Sequence, residues 1–253
     1  MYGKKLGANL RALFGNFVTP RPYSRPHFPL EALSTQEPAM PHHYKPVEVP
    51  LHPKIADRIA RHVPGYRVTP DPHAHYESWT GLPVLVDPRT DRPLNPVEQT
   101  GRTGLGECSF WGPNHSADPI VTRANAVGGM DVLLIRRGDT GEWALPGGKL
   151  ELGESARHAA ERELREETAV SLPLQDAVEV FRGYVRDPRN TDNAWFETTA
   201  LHTHLSFQKG ALVLPVGGSD ADEASWHPVT PELLKRCYAD HGGYIARALH
   251  LEQ

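Results

Sequence analysis

The chain has little cysteine, little methionine, no long apolar run and no surplus of positive charge. Cys108 and Cys237 are its only cysteines in 253 residues. Two thiols are too few for the disulfide framework of a small secreted domain, so both are expected to be reduced and structural. No stretch approaches the ~20 consecutive apolar residues of a membrane-spanning helix, and no secretory h-region is present. A formal net charge of −4 leaves no global basic field to attract nucleic acid. An anionic ligand must then be met by a metal or by local arginines. The chain does have proline, 24 residues of it, and an apolar fraction of 39%, modest but sufficient for a core.

The character of the chain changes twice along its length. Residues 1–41 read as a flexible basic segment. Lys4, Lys5, Arg11, Arg21 and Arg25 precede the first acid, Glu31, and Leu6, Leu10, Leu13, Phe14 and Phe17 share one helical face. That style suits a loose tail or docking helix in a cytoplasmic protein, with a mitochondrial transit segment as the alternative. Residues 42–112 are short, polar and proline-punctuated, as expected of a small irregular accessory module, with Val84–Val86 as a strand and a turn over 87–93. From 113 to 253 the pattern sharpens. Strands are expected near 118–123, 131–137, 177–186, 192–206 and 224–229, with a C-terminal helix from about 231. The x-spaced pairs His73/His75 and His202/His204 lack a nearby second pair and are read as ordinary histidines rather than zinc ligands.

The densest chemistry lies between residues 146 and 170. Val132–Ile135 and Trp143–Leu145 read as two strands joined by the turn formers Gly138-Asp-Thr-Gly141. Pro146-Gly147-Gly148 then lets the backbone pass close to a ligand. Ser155 is a suitable N-cap for a helix through Thr168, where Ala156, Ala160 and Leu164 make a slim apolar stripe. Glu163, Glu166 and Glu167 stand at i, i+3 and i+4 and share a face. Clustered carboxylates repel one another, and a hard cation with a preference for oxygen relieves that repulsion while bridging to phosphates. Read alone, the same helix could be a solvated one, laced by Arg162–Glu166 and Glu161–Arg165 pairs worth roughly 0.2–0.5 kcal/mol each.

Taken together, Gly148, Glu154 and the cluster Arg162-Glu163-Leu164-Arg165-Glu166-Glu167-Thr168-Ala169-Val170 resemble the Nudix box, G-x5-E-x7-R-E-U-x-E-E-x-G-U. One position departs from it, Ala169 for glycine. The segments Trp111–Ile120 and Tyr184–Trp195 are similar to the mitochondrial-type ADP-ribose pyrophosphatases and to the ADP-ribose-sensing Nudix-homology domain of melastatin-type channels. That narrower family also carries alanine at the position of Ala169. Tyr44–Glu48 and the run from Asn95 to Gly104 resemble the same enzymes' N-terminal module.

The resemblance implies an α/β fold, a Nudix α/β/α sandwich with a mixed β-sheet. It implies hydrolysis of ADP-ribose to AMP and ribose 5-phosphate with Mg2+ or Mn2+. Glu163, Glu166 and Glu167 with the Gly148 carbonyl would hold the metal, and Arg162 would orient the glutamates. Asn114, Arg189, Asn190, Asp192, Asn193 and Trp195 become candidates for substrate binding. Strand alternation places Asn193, Trp195 and Glu197 on one face and Ala194, Phe196 and Thr198 on the other. The general base stays open among Glu163, Asp220, Asp222 and Glu223. Two rival readings remain, a non-catalytic ADP-ribose-binding module and a Nudix hydrolase for another nucleoside diphosphate derivative.

Overall fold

The computed structural model describes residues 44–218 and 221–251. The readings of residues 1–41 and of Asp220 lie outside the described residues.

The core is a mixed sheet of five longer strands: β5 (Gly112–Ala124), β6 (Met130–Arg137), β9 (Val178–Tyr184), β10 (Ala194–Leu205) and β11 (Ala221–Pro228). They lie in the order β11-β6-β5-β10-β9. Two short strands, β7 (Trp143–Ala144) and β8 (Gly148–Lys149), pair with β6 and β5 respectively. Strand β10 runs parallel to β5 from Ala194 opposite Gly112 to Leu205 opposite Arg123. The remaining pairs are antiparallel.

Alternation along these strands feeds two cores. On one face Val121, Leu133 and Leu164 pack together, and so do Ala117, Ala159, Ala160 and Leu201. These contacts seat helix α2 (Ala156–Thr168) on the sheet. On the other face Ile120, Val132, Leu134 and Ala200 meet Leu234, Ile245 and Ala248 from helices α4 (Pro231–Arg236) and α5 (His241–Ala248). A short helix α3 (Phe207–Ala211) follows β10. The layers are helix, sheet, helix, and each fully buried aliphatic side chain contributes roughly 1.5–3 kcal/mol.

The sheet is interrupted at one place, beside the middle of β5. On the side of β5 away from β10, pairing with β8 ends at Ala117 and pairing with β6 begins at Thr122. Pro119, which has no N–H to donate, falls inside that gap and is tolerated there. The split leaves Asp118 to Val121 without a strand neighbour on that side.

The N-terminal part is small. It contains β1 (Val47–Glu48), helix α1 (Pro53–Ala60), β2 (Leu85–Val86), β3 (Pro93–Leu94) and β4 (Arg102–Thr103). Ile55 of α1 packs with Leu105, Cys108 and Trp111 against Val185, Ala194 and Phe196, so this part shares a core with the main sheet. Helix α2 starts where the Ser155 cap predicts: Ser155 Oγ accepts the His158 N–H at 3.3 Å. It ends on Ala169 in the left-handed region, φ 56°, a conformation that costs a non-glycine residue about 1 kcal/mol.

Candidate active site

The turn Gly147–Gly148 enters the gap beside β5, and three carboxylates close around it. Gly147 N–H donates to Glu167 Oε2 at 2.9 Å. A Cβ on Gly147 would overlap the Asp118 carboxylate and stand 2.7 Å from Ala117 O. A Cβ on Gly148 would stand 2.6 Å from Glu163 Cδ. Two glycines are needed here because backbone and carboxylates approach more closely than any side chain allows.

Arg162 organises the outer half of the cluster. Its guanidinium donates to both Glu154 oxygens at 3.0 and 2.9 Å, to Glu163 Oε1 at 2.6 Å, to Glu166 Oε2 at 3.3 Å and to the Lys149 carbonyl at 3.0 Å. The Glu154 pairing raises the Arg162 pKa and holds the Glu154 carboxyl below its usual range. The expected Glu161–Arg165 pair does not form. Glu161 Oε1 instead accepts the Leu174 N–H at 2.6 Å.

In the inner half the carboxyl pKa values move upward. Glu167 is only 7% exposed. Burial, with the nearby Glu163 and Asp118 charges, pushes its pKa to about 7 against the relief given by the Gly147 N–H. Burial likewise raises Asp118 to about 6, opposed by the Thr198 hydroxyl and reinforced by Glu163. Glu163 is also raised, chiefly by burial, with Arg162 opposing. Buried carboxylates that strain against one another suit an oxygen-seeking divalent cation in donor type and charge. Among the described residues no three such side chains converge into a closed cation cage.

The candidate metal set is therefore gathered in part. Gly148, Glu163 and Glu167 share the turn. Glu166 lies further out, its side chain 44% exposed and tied to Arg162. The C-terminal end of α2 touches the loop before β11, where Val216 N–H donates to Thr168 O and Gly218 N–H to Glu167 O.

The candidate substrate set divides differently. Asn114 donates to Phe110 O and Gly112 O and accepts from the Ser109 and Phe110 N–H groups. Asn190 holds Tyr184, Val185 and Phe196. Asp192 accepts from Tyr44 Oη and twice from Thr100. Asn193 binds Thr103, Gly104 and Pro93. These four side chains spend their hydrogen bonds within the chain, and Asp192 and Asn193 tie the N-terminal part to the loop before β10. Trp195 is fully buried and donates its indole N–H to Glu197 at 2.8 Å, so its ring has no exposed face.

Both faces of β10 meet the N-terminal part: Glu197 accepts from Ser78 and Trp79, and Phe196 packs with Ile55 and Leu105, while Thr198 reaches Asp118. Arg189 lies beside Phe196. It forms a two-pronged pair with Asp187 at 2.8 and 2.6 Å, and its guanidinium lies 4.5 Å from the centre of the Phe196 ring. Lys149 Nζ lies 5.2 Å from the same ring and donates to Ser109 Oγ at 2.9 Å. Burial, with the charges of Arg189 and Arg58, lowers the Lys149 pKa.

Sequence reasoning did not single out Asp118 or Lys149. Asp118 follows the polar run Asn114-His115-Ser116 in its strand, so its charge alone gave no signal.

The NUDIX domain family model matches residues 113–248, more than half of the chain and all of the carboxylate cluster. The chain belongs to the NUDIX family. A putative nudix hydrolase 6 of Caenorhabditis elegans is 42% identical over 169 residues, 63% of this chain and 64% of that protein. The mitochondrial ADP-ribose pyrophosphatase of Rattus norvegicus is 35% identical over 206 residues, 69% of this chain and 57% of that protein. The transient receptor potential cation channel subfamily M member 2 of Mus musculus is 42% identical over 129 residues, 46% of this chain and 9% of the channel. The matches thus span under two thirds of these relatives' lengths. The Arg162-Glu163 and Glu166-Glu167 pairs on α2 and the Gly147–Gly148 turn all fall within the matched residues. No described helix is long and apolar enough to cross a membrane.

Proposed function

We propose that this NUDIX protein hydrolyses the diphosphate of ADP-ribose to AMP and ribose 5-phosphate with a divalent cation, Mg2+ or Mn2+. The observation that carries this reading is the intact carboxylate set at Gly147–Gly148, with Glu167 buried on the Gly147 N–H and Arg162 tying Glu154 to Glu163. The similarity to an ADP-ribose pyrophosphatase over 69% of the chain supports the choice of substrate.

Glu163, Glu167 and the Gly148 carbonyl would hold the cation, with Glu166 at its outer edge. When bound, such a cation neutralises diphosphate charge and makes water nucleophilic near neutral pH. Arg162 fixes the direction in which Glu163 points and keeps Glu154 ionised. Arg189 and Lys149, both over Phe196, meet the substrate's anionic half with local positive charge that the net −4 protein otherwise lacks. Asn114, Asn190, Asp192 and Asn193 act in this scheme by shaping the wall that carries Arg189.

A substrate panel tests the reading. Purified protein with Mg2+ is offered ADP-ribose, ADP-glucose, NADH, a dinucleoside polyphosphate and a nucleoside triphosphate, with products separated by chromatography. The expected result is AMP and ribose 5-phosphate from ADP-ribose at the highest kcat/KM. Equal or faster cleavage of another compound overturns the substrate assignment. The 42% identity to the channel favours a second reading, ADP-ribose binding without cleavage. Calorimetric binding of ADP-ribose with no AMP released in Mg2+ would establish that alternative.

A further inference from the structure

We propose that Asp118, a carboxylate supplied by β5 and not by the acidic helix, belongs to the cation site at Gly147–Gly148. This inference rests on the proposed cation-dependent hydrolysis and adds a residue to it.

The first ground is position. Asp118 lies in the gap of the sheet, one residue past Ala117, where pairing with β8 stops. It is 7% exposed, and its Oδ2 accepts the Thr198 hydroxyl at 2.6 Å. Oδ1 has no hydrogen-bond donor among the described residues and faces Gly147, where a Cβ would overlap it. The same Gly147 gives its N–H to Glu167. Asp118 and Glu167 therefore bracket one residue from opposite elements, with Glu163 against the next residue, Gly148.

The second ground is charge. Among the described residues Asp118 forms no ion pair, and Arg137, a cation that acts on it, is itself bound to Asp139 at 2.6 Å. A buried carboxylate beside two others and without a counter-ion is costly. A purely structural role would not need that cost, because asparagine would accept the Thr198 hydroxyl equally well with no charge. An acid is informative here because it leaves a second negative oxygen, Oδ1, without a protein donor and beside the turn. A divalent cation held by Glu163 and Glu167 is the partner that such an oxygen lacks.

The test uses Mn2+ alone, without nucleotide, so that it does not depend on the substrate. Mn2+ affinity is measured by electron paramagnetic resonance and calorimetry for the natural chain, Asp118→Asn and Glu167→Gln. Asp118→Asn is expected to weaken Mn2+ about ten-fold or more while leaving the metal-free melting temperature unchanged or higher. Binding by Asp118→Asn within two-fold of the natural chain, with binding lost in Glu167→Gln, overturns this inference and leaves the proposed hydrolysis standing. Absence of Mn2+ binding in the natural chain overturns both. Should Asp118→Asn fail to fold, anomalous diffraction from natural crystals soaked in Mn2+ decides. A manganese peak with Asp118 as a ligand, or one water away, supports the inference. A peak at Glu163 and Glu167 with Asp118 in neither shell overturns it.

Discussion

Two groups of buried polar side chains sit a few residues apart in this molecule and are built on opposite rules. Around the loop before β10, Asn190, Asp192, Asn193 and Glu197 have their hydrogen-bonding capacity met within the chain. Glu197 is completely buried, yet Ser78 Oγ, the Trp79 N–H and the Trp195 indole all donate to it, and its pKa stays low despite burial. Around Gly147–Gly148 the Asp118, Glu163 and Glu167 carboxylates have one hydrogen-bond donor apiece and their pKa values rise. A satisfied buried network specifies structure; an unsatisfied one stores a demand for a ligand.

The contrast can be broken first at its satisfied end. Glu197→Ala leaves three donors without an acceptor, at a cost of roughly 1–3 kcal/mol each. The expected outcome is a stability loss of about 3 kcal/mol or more in urea denaturation, with faster amide exchange at Trp79. A loss below about 1 kcal/mol would mean that this clamp does not hold the N-terminal part.

The unsatisfied end should respond to pH with the opposite sign from an ordinary paired acid. Glu167 has a folded pKa near 7, above an unfolded value of about 4.3. The metal-free folded state therefore binds the extra proton between those values, and its stability falls as pH rises through that window. Glu167→Gln lacks the group. In chelator, its stability relative to the natural chain is expected to improve by on the order of 2 kcal/mol between pH 5 and pH 7.5. The buried histidines His202 and His241, held neutral with pKa values near 4, favour the unfolded state on acidification. They are common to both proteins and cancel in the difference. A difference that does not vary with pH would place Glu167 in a relaxed environment.

The smallest effect is expected at the end of the box helix. Ala169→Gly removes the left-handed strain at φ 56° and should raise stability by about 0.5 kcal/mol, read as a small rise in melting temperature. A drop would show that the alanine methyl is held by packing.

Much of this architecture is legible in the chain before folding. The spacing from Gly148 to Glu167, the Ser155 cap and the aliphatic run of β6 follow from local rules that need no tertiary partner. Four of the five expected strands fall within about three residues of those observed, but β5 begins at Gly112 rather than near 118, and the expected C-terminal helix is divided into α4 and α5. The inward use of Asn114, Asn190, Asp192, Asn193 and Trp195 is not legible, because it depends on long-range packing, including an N-terminal part that meets both faces of β10. Asp118 escapes for a related reason: it reaches the site only because β6 and β8 part on either side of Pro119, a long-range property of the sheet.

The most direct test of the account is the steady-state turnover of ADP-ribose in saturating Mg2+ by the natural chain and by Glu167→Gln, with folding of both checked by circular dichroism. The expected result is equal amounts of AMP and ribose 5-phosphate from the natural chain, and a kcat at least about 10²-fold lower in the variant. Undiminished turnover in a folded Glu167→Gln protein would contradict it.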